Sequence, residues 1–328
     1  MNTAPTDPQR GRAARMLVLA SVYWGLSFPV IKALMILNHA LVPGAGTWFL
    51  AASATAPRYL LAALAMLALG GRRGLGATRS ELIQGAAAGA FSAAGSVLQT
   101  DAMQFTEAST SAFLTQLSAI IVPTWIALRH RRNPGAVVWA CCALVLVGVA
   151  ILGHLDWHHL RLGRGEWETI LCSVFYTGQI LWVEKREFAG NRPDTVTRVM
   201  FSVQAAAFVV LAAATAPRAG ALLVPWTSPP WLALTFVLAS VCTVGAFSIM
   251  MRWQPRITST EAGLIYCTEP VFASVYVLFV PAIISAAAGL GYPNERATWS
   301  LLVGGTLVTV ANVVVQLRAS RLLATIDD

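Results

Sequence analysis

Met16–Ile36 reads MLVLASVYWGLSFPVIKALMI, an apolar run in which Lys32 is the only charged residue. A helix of about 20 apolar residues crosses the hydrocarbon core of a bilayer, and this run is long enough to do so. Three arginines precede it, as in a signal peptide, but a signal peptide has a shorter apolar core and is followed directly by a small-residue cleavage site. We therefore interpret 16–36 as the first transmembrane helix.

Similar apolar runs recur along the chain. Of its 328 residues, 56% are hydrophobic and 12% are charged, and the mean hydropathy is +0.64. This composition excludes a disordered chain and an ordinary soluble domain. The sequence predicts an all-α polytopic membrane protein with ten transmembrane helices. The predicted spans lie at 16–36, 48–70, 82–100, 107–128, 135–153, 166–184, 197–217, 229–251, 258–281 and 298–317.

The basic residues indicate how the spans are oriented. The formal net charge is +8, but the arginines lie mostly at helix ends, which favours a role in topology over nucleic-acid binding. With the N-terminus in the cytoplasm, most of the 23 basic residues, Arg72 and Arg129 among them, fall in cytoplasmic segments. The positive-inside bias therefore predicts a multi-pass protein of the cell membrane with both termini cytoplasmic. We expect no nucleic-acid partner.

The chain also contains an internal repeat. LASVYW at 19–24 in the first span resembles LCSVFY at 171–176 in the sixth. Each half then holds five helices, and because five is odd, the second copy must enter the membrane from the opposite side. The sequence thus predicts two inverted five-helix repeats. The predicted segments are a cytoplasmic tail at 1–15, a first repeat at 16–153, an external loop at 154–165, a second repeat at 166–317 and a cytoplasmic tail at 318–328. A second match pairs Gln104, Ser109, Thr110 and Ala112 with Gln254, Ser259, Thr260 and Ala262.

Four short motifs form a recognisable set: WGLSF at 24–28, Arg58 in the second span, AGLIYCTEPVFA at 262–273 and the Gly304-Gly305 pair. Together they resemble the ten-helix, EamA-type members of the drug/metabolite transporter superfamily, over essentially the whole chain. Two features depart from that family. The acidic residue usual after the fourth helix is absent, and Glu295 follows Pro270 at a longer spacing than the family pattern has, with an insertion around 282–292.

The resemblance implies a secondary transporter of a small organic solute, such as a metabolite, an amino acid or a drug-like compound, and favours an exporter. Transport would follow alternating access between the two repeats. The sequence has no P-loop, so the energy must come from a solute gradient or a coupled ion, for which a proton is one candidate. The alternative is a non-transporting membrane helper subunit or an intramembrane enzyme with the same architecture. The expected partners are the solute and the lipid bilayer; a homodimer is left open, and no cofactor is expected.

Glu269 is the leading candidate for a substrate-binding residue. A charged side chain in mid-membrane costs about 2.5–3.5 kcal/mol on insertion scales and is rare unless it has a partner or a function. Tyr266 lies three residues earlier, so on a continuous helix both face one side. Pro270 and Pro123 remove backbone donors, which predicts a kink or gating position in the ninth and fourth spans. A purely structural carboxylate beside a kink is the alternative interpretation.

The first and sixth spans supply the remaining candidates. Trp24, Ser27, Tyr176 and Gln179 lie in related stretches and offer ring surface and hydrogen-bonding groups to a ligand. Gln116 and Thr115, at the repeat positions of Tyr266 and Ile265, are expected to form interhelical hydrogen bonds. Trp157, Trp226 and Trp231 lie near span ends and are expected to belong to interfacial belts.

We predict neither a metal site nor a catalytic residue. The five cysteines lie in apolar runs without metal-ligand spacing, so we expect them to be small buried hydrophobes. The loop with His154, Asp156 and His158 holds no second ligand set. The sequence also lacks the H-E-x-x-H and G-x-S-x-G motifs of intramembrane-type or hydrolytic chemistry.

Overall fold

The computed structural model describes residues 7–70, 76–129, 135–152, 162–183, 185–257, 262 and 265–327. Within these ranges the chain is helical and has no strand, which confirms the all-α prediction. The predicted loops around Arg72, Arg131 and His158 lie outside these ranges, and so do residues 1–6 of the predicted tail at 1–15. The helices are α1 (Asp7–Leu41), α2 (Thr47–Gly70), α3 (Arg79–Ala102), α4 (Ala108–Thr115), α5 (Ser118–Arg129), α6 (Ala136–Leu152), α7 (Arg164–Val183), α8 (Pro193–Thr215), α9 (Pro229–Ala239), α10 (Ala246–Trp253), α11 (Glu269–Val277), α12 (Val280–Ala288) and α13 (Trp299–Asp327).

Four of the described helical stretches are long and apolar enough to cross a membrane. α11 and α12 form a further candidate, bent by 51° at a short break, and three shorter apolar helices accompany them. α3 and α7 are as long but carry more polar residues. The count of ten spans and the inversion of the repeats stay predictions. The four clear spans are Gly11–Leu41, Thr47–Ala68, Pro193–Thr215 and Pro229–Met250, and the shorter helices are Ala108–Val122, Ala136–Leu152 and Trp299–Val315.

Helix extends into both predicted tails, whose location in the cytoplasm stays a prediction. α1 already begins at Asp7 and α13 continues to Asp327, so helix extends well into the segments at 1–15 and 318–328. Neither junction carries a proline, and a helix that leaves the apolar layer keeps its internal hydrogen bonds in water as well as in lipid.

Three predicted spans are not continuous helices. The fourth is broken at Gln116–Leu117, between α4 and α5, and the ninth is broken at Cys267–Thr268, just before α11. The eighth contains a π-helical segment, Ser240–Gly245, between α9 and α10. Breaks and π-bulges inside a membrane leave backbone groups free and are frequent at functional sites.

The helices pack most extensively in the pairs α2–α8, α3–α7, α3–α8 and α6–α13, with α1 against α11. Glycines allow some of these contacts to be close: a Cβ on Gly148 of α6 would lie 2.9 Å from the Gly304 carbonyl oxygen of α13, and the reverse distance is 2.8 Å. Large apolar side chains remain exposed outside these contacts, for example Leu146 at 70%. In a bilayer those surfaces face lipid tails, which is the environment that stabilises them.

Trp231 does not belong to an interfacial belt as its position near a span end predicts. It is fully buried, and its Nε1 donates to Asn38 Oδ1 at 2.9 Å. A buried indole satisfies its one donor in this way, so Trp231 ties α9 to α1. Trp226 beside it is 46% exposed, as expected, and Trp157 lies outside the described residues.

Candidate functional site

Glu269 lies where two helix breaks meet. It is the first residue of α11 and directly follows the turn at Cys267–Thr268. Its Oε2 accepts a hydrogen bond of 3.2 Å from Gln116 Nε2, and Gln116 lies at the break between α4 and α5. No cation pairs with this carboxylate among the residues that the structure describes. The contact therefore joins the two predicted repeats through a charged group whose only described side-chain partner is neutral.

The backbone at both breaks changes from α-helical to tighter hydrogen bonding. Gln116 N donates to Phe113 O at 3.2 Å, and Thr268 N donates to Ile265 O at 2.9 Å, each three residues back. Such turns end the regular four-residue ladder. Ser118 Oγ also donates to the Thr115 carbonyl at 3.3 Å, which stabilises the first turn.

The two predicted kink prolines have different positions relative to these breaks. Pro270 is buried and follows the second break directly, in the first turn of α11, where its missing donor costs least. Pro123 does not mark the break of the fourth span, because helix α5 begins at Ser118 and continues through residue 123. The break of the fourth span lies earlier, at Gln116, and the kink or gating role of Pro123 stays a prediction. The break before α11 also means that Tyr266 and Glu269 do not share one continuous helix.

Trp24 and Tyr266 nevertheless lie together beside Glu269. Their ring centroids are 5.5 Å apart in an edge-to-face arrangement, and Trp24 makes a similar contact of 5.6 Å with Phe247 of α10. Tyr266 OH donates to Gln254 Oε1 at 2.8 Å. Gly25 makes this approach of α1 to α11 feasible, since a Cβ there would lie 3.2 Å from the Glu269 carbonyl oxygen and closer still to Ala273 N.

Tyr176 belongs to a chain of hydrogen bonds that leads to the first break. Its hydroxyl donates to Gln99 Oε1 at 3.2 Å, and Gln99 Nε2 donates to Thr115 Oγ1 at 3.1 Å, next to Gln116. On its other side, Tyr176 OH lies 3.2 Å from Ser96 Oγ, which in turn lies 2.8 Å from Tyr59 OH. The expectation that Thr115 and Gln116 form interhelical hydrogen bonds is confirmed.

Ser27 and Gln179 are not brought into this group of contacts. Ser27 is buried, without a side-chain hydrogen bond to any described residue. Gln179 Nε2 instead donates to Met200 Sδ on α8 at 3.4 Å. The structure therefore gathers Trp24, Tyr266 and Glu269 at one place and connects Tyr176 to it, while Gln179 faces a different helix.

Arg58 is the polar residue of this region to which the sequence analysis assigned no role. It lies in the middle of α2, is only 7% exposed, and donates from Nε to Thr243 Oγ1 at 2.7 Å. Thr243 belongs to the π-helical segment, and its hydroxyl donates to Leu238 O, five residues back. The signal for Arg58 was present in the sequence, since a charged residue in mid-span is a functional candidate by the same argument as Glu269.

Ion pairs close the two ends of the helix bundle. At one end Arg192 Nε and Nη2 contact Glu81 Oε1 and Oε2 at 2.8 and 3.0 Å, and Thr78 N donates to the same carboxylate at 2.7 Å. The Arg192 guanidinium and this donor hold the pKa of Glu81 well below its usual range. At the other end Arg164 Nη2 contacts Oδ2 of the fully buried Asp101 at 2.5 Å, so this buried carboxylate is paired. Each pair joins a helix of the first predicted repeat to the second.

Glu295, whose role the sequence left open, caps a helix of the other half. Its Oε1 accepts from Ala108 N at 2.9 Å and its Oε2 from Ser109 Oγ at 2.5 Å, at the start of α4. A carboxylate at a helix N-terminus satisfies orphan donors and complements the helix dipole. Glu107, the residue before α4, makes no such side-chain cap.

The described residues contain no group of three or more His, Cys, Asp or Glu side chains arranged to hold a metal ion. The loop with His154, Asp156 and His158 lies outside them. None of the five cysteines forms a disulfide among the described residues, and four are buried, in line with the expectation of small buried hydrophobes.

Comparison with known proteins agrees with the membrane fold. Residues 12–153 match the model of the EamA-like transporter family, which covers the first predicted repeat. No curated protein matches the sequence. One crystal structure of a protein with 17% sequence identity aligns over 95% of this chain and 99% of its own, with a TM-score of 0.53. The family match supports a membrane transporter of the drug/metabolite kind, and the aligned structure supports the fold over the whole chain.

Proposed function

We propose that the protein is a secondary transporter that carries a small organic solute, a metabolite, amino acid or drug-like compound, out of the cell by alternating access. Its solute site lies between the two predicted repeats, with Glu269, Tyr266 and Trp24 on one side and Tyr176 on the other. Ser27 of α1 and Gln179 of α7 are further proposed substrate-binding residues, although they lie outside this group of contacts. Pro270 supports the break at which Glu269 stands.

The observation that carries this proposal is the pair of helix breaks at Gln116 and Cys267. These positions correspond to within one residue under the repeat offset that pairs Gln116 with Tyr266, and a hydrogen bond from Gln116 to Glu269 connects the two regions. Transporters built from inverted repeats place their substrate site at discontinuous helices near the bilayer midplane, where free backbone groups and charged side chains contact the solute. A helper subunit has no need of such paired breaks.

The ion pairs at the two ends support alternating access. A solute enters only where one end opens, and the Glu81–Arg192 and Asp101–Arg164 contacts each join the two halves at one end. Opening either end must break its pair while the other remains. We propose that these pairs are the closures of the two entrances, and that the end with Glu81 faces the cytoplasm, in agreement with the positive-inside bias.

The test uses Glu269→Gln, which keeps an acceptor for Gln116 and removes the negative charge. Purified protein in liposomes is assayed for flux of radiolabelled amino acids, monocarboxylates and quaternary amines, per folded molecule and across pH. We expect flux of the best-carried compound to fall at least about tenfold, because a charged partner of a solute or proton is lost. Glu187→Gln is the control, since the Glu187 side chain is 61% exposed and pairs with Lys185 alone among the described residues.

The outcomes separate the alternatives. Flux that is unchanged in Glu269→Gln at every pH contradicts a transport role for this carboxylate. Absence of flux for every compound, from protein that is folded and correctly inserted, favours a helper subunit or an intramembrane enzyme. A pH dependence that disappears in Glu269→Gln supports proton coupling at this residue.

A further inference from the structure

We propose that Arg58 binds a carboxylate group of the transported solute. This inference rests on the proposed function and adds the class of solute to it: a compound with an anionic group attached to an apolar body. Arg58 is the residue that the geometry leaves ready for such a ligand.

The Arg58 guanidinium has no charged partner among the described residues. Arg58 is 93% removed from solvent, and a buried guanidinium is normally matched by a carboxylate because an unpaired buried charge is strongly unfavourable. Among the described residues no carboxylate lies within ion-pair distance of it, and neither Nη atom has a hydrogen-bond partner. Neither Nη atom is among the unpartnered atoms that protein encloses completely, so both border accessible space.

Two other acids within the helix bundle have partners of their own. Asp101 is engaged by Arg164 at the end of the bundle, and Glu269 accepts from Gln116. The second buried arginine, Arg198 of α8, likewise has no described carboxylate within ion-pair distance and is 8% exposed. Among the described residues, the two buried arginines of α2 and α8 are thus without a paired carboxylate, which favours an anion beside them.

Two contacts orient the Arg58 guanidinium. Thr243 Oγ1 accepts from Arg58 Nε, and its own proton is directed to Leu238 O at 2.8 Å by the π-helical segment. The guanidinium also lies over the Tyr59 ring, with 5.2 Å from Cζ to the ring centroid. These contacts hold the planar group from one edge and one face, and they leave the edge with both Nη atoms free. That edge matches the two oxygens of a carboxylate.

A row of contacting aromatic rings begins beside Arg58. Tyr59 stacks on Phe208 and contacts Phe201, which contacts Phe247, which contacts Trp24. Tyr59, Phe201 and Phe208 are buried in the core, whereas Phe247, Trp24 and Tyr266 at the other end of this row of rings are partly exposed. A solute with a carboxylate on Arg58 would lay its apolar body against these partly exposed rings.

The experiment measures binding of matched pairs that differ only in charge: phenylacetate against phenylacetamide, and phenylalanine against phenylalaninamide. Purified protein in detergent is titrated with each compound, with thermal stabilisation and scintillation proximity as readouts. We expect the parent to bind at least one carboxylate about tenfold or more tightly than its amide. Arg58→Gln should remove this preference without removing binding of the amide, and Arg58→Lys should recover it only in part because a point charge replaces a planar fork.

Two further variants keep the test decisive. Thr243→Val retains the charge but loses the acceptor that orients Arg58, so it should weaken carboxylate binding while amide binding stays, even where Arg58→Gln fails to fold. Arg218→Gln removes an exposed arginine from a loop and should leave the preference unchanged. A parent without any preference for the carboxylate, or a preference that survives in Arg58→Gln and Thr243→Val, overturns the inference. Carboxylate binding that depends on Arg58 without flux in liposomes would support this inference and contradict the proposed transport function.

Discussion

Single carboxylates in this protein differ in what neutralises them. Glu81 is covered by the Arg192 guanidinium and by backbone donors, at the end of the bundle, and its own accessibility is 2%. The Arg192 side chain that covers Glu81 is itself half-exposed. Water therefore lies close to the pair, and solvent screening limits its strength. Glu269 lies within a predicted span, and among the described residues its side chain accepts only from the Gln116 amide. The first carboxylate is thus paired in this structure, and we propose that the second binds a ligand.

Glu81 predicts a specific dependence of stability on pH. Because its folded-state pKa lies below the unfolded value, the pair contributes stability above the unfolded pKa of about 4.3, and the contribution is lost as pH falls from there toward the folded value. We expect the parent to melt a few degrees higher than Glu81→Gln at pH 6–8, with the gap narrowing below about pH 4.5. The measurement is the melting temperature of purified protein in detergent against pH.

The control for this prediction is Glu187→Gln, at an exposed pair in the adjoining segment. It should show the same melting curve as the parent at every pH. A gap between parent and Glu81→Gln that stays constant down to pH 3 would show that the carboxylate charge is not what stabilises this end.

At the scale of elements, irregular helices create the site and close glycine contacts hold the regular ones around it. α4 and α5 break at Gln116, α11 starts anew at Glu269, and the π-helical segment turns Thr243 toward Arg58. Such irregularities weaken local backbone bonding and need rigid support. α6 and α13 supply part of it, because Gly148 and Gly304 allow their backbones to touch.

Gly304→Ala should therefore destabilise the fold. Its Cβ would lie 2.8 Å from the Gly148 carbonyl oxygen, and backbone cannot move aside as a flexible side chain does. We expect a loss of about 1–3 kcal/mol, in the range of overpacked helix contacts, visible as a lower melting temperature and lower yield. Gly291→Ala is the matched control, since nothing lies within 4 Å of a Cβ there. Equal stability of the two variants would mean that α6 and α13 do not pack this closely in the membrane.

At the scale of the whole molecule, the orientation of the bundle decides which entrance faces which solution. The segment between α7 and α8, with Gly190, is predicted to be cytoplasmic, and the segment between α8 and α9, with Thr227, external. Both residues are exposed, and the native cysteines are buried or partly buried.

Single cysteines at these two positions test the prediction. In intact cells, a membrane-impermeant maleimide should label Thr227→Cys directly and Gly190→Cys only after the membrane is opened, above the background of the parent. Labelling of both from outside would contradict the predicted topology and, with it, the placement of Glu81 at the cytoplasmic end. Reversed labelling would place the Arg164–Asp101 end in the cytoplasm.

Much of the fold follows from composition and local pattern. The run at 16–36 is helical and apolar whatever surrounds it, because a backbone in lipid must satisfy its own hydrogen bonds. The same reasoning located Glu269, since a lone charge in an apolar span stands out in one dimension. The same argument applies to Arg58, although Arg58 also belongs to the set of motifs that resembles the transporter family.

Tertiary contacts decided what the sequence left undetermined. α4 ends at Gln116, where the Gln116 side chain contacts Glu269 of another helix. No local sequence signal marks this break, and Pro123 does not mark it either. Trp231 lies near a span end but is buried, and its Nε1 donates a hydrogen bond to Asn38 of α1. Gln179 and Tyr176 share a helix and a similar polarity, yet only Tyr176 reaches the hydrogen bonds that lead to Gln116. The chain alone determined that this is a helical membrane protein with isolated charges inside it, because lipid imposes those constraints on every segment separately. Which of those charges find partners was decided by residues far apart in sequence, whose contacts exist only once the helices have packed.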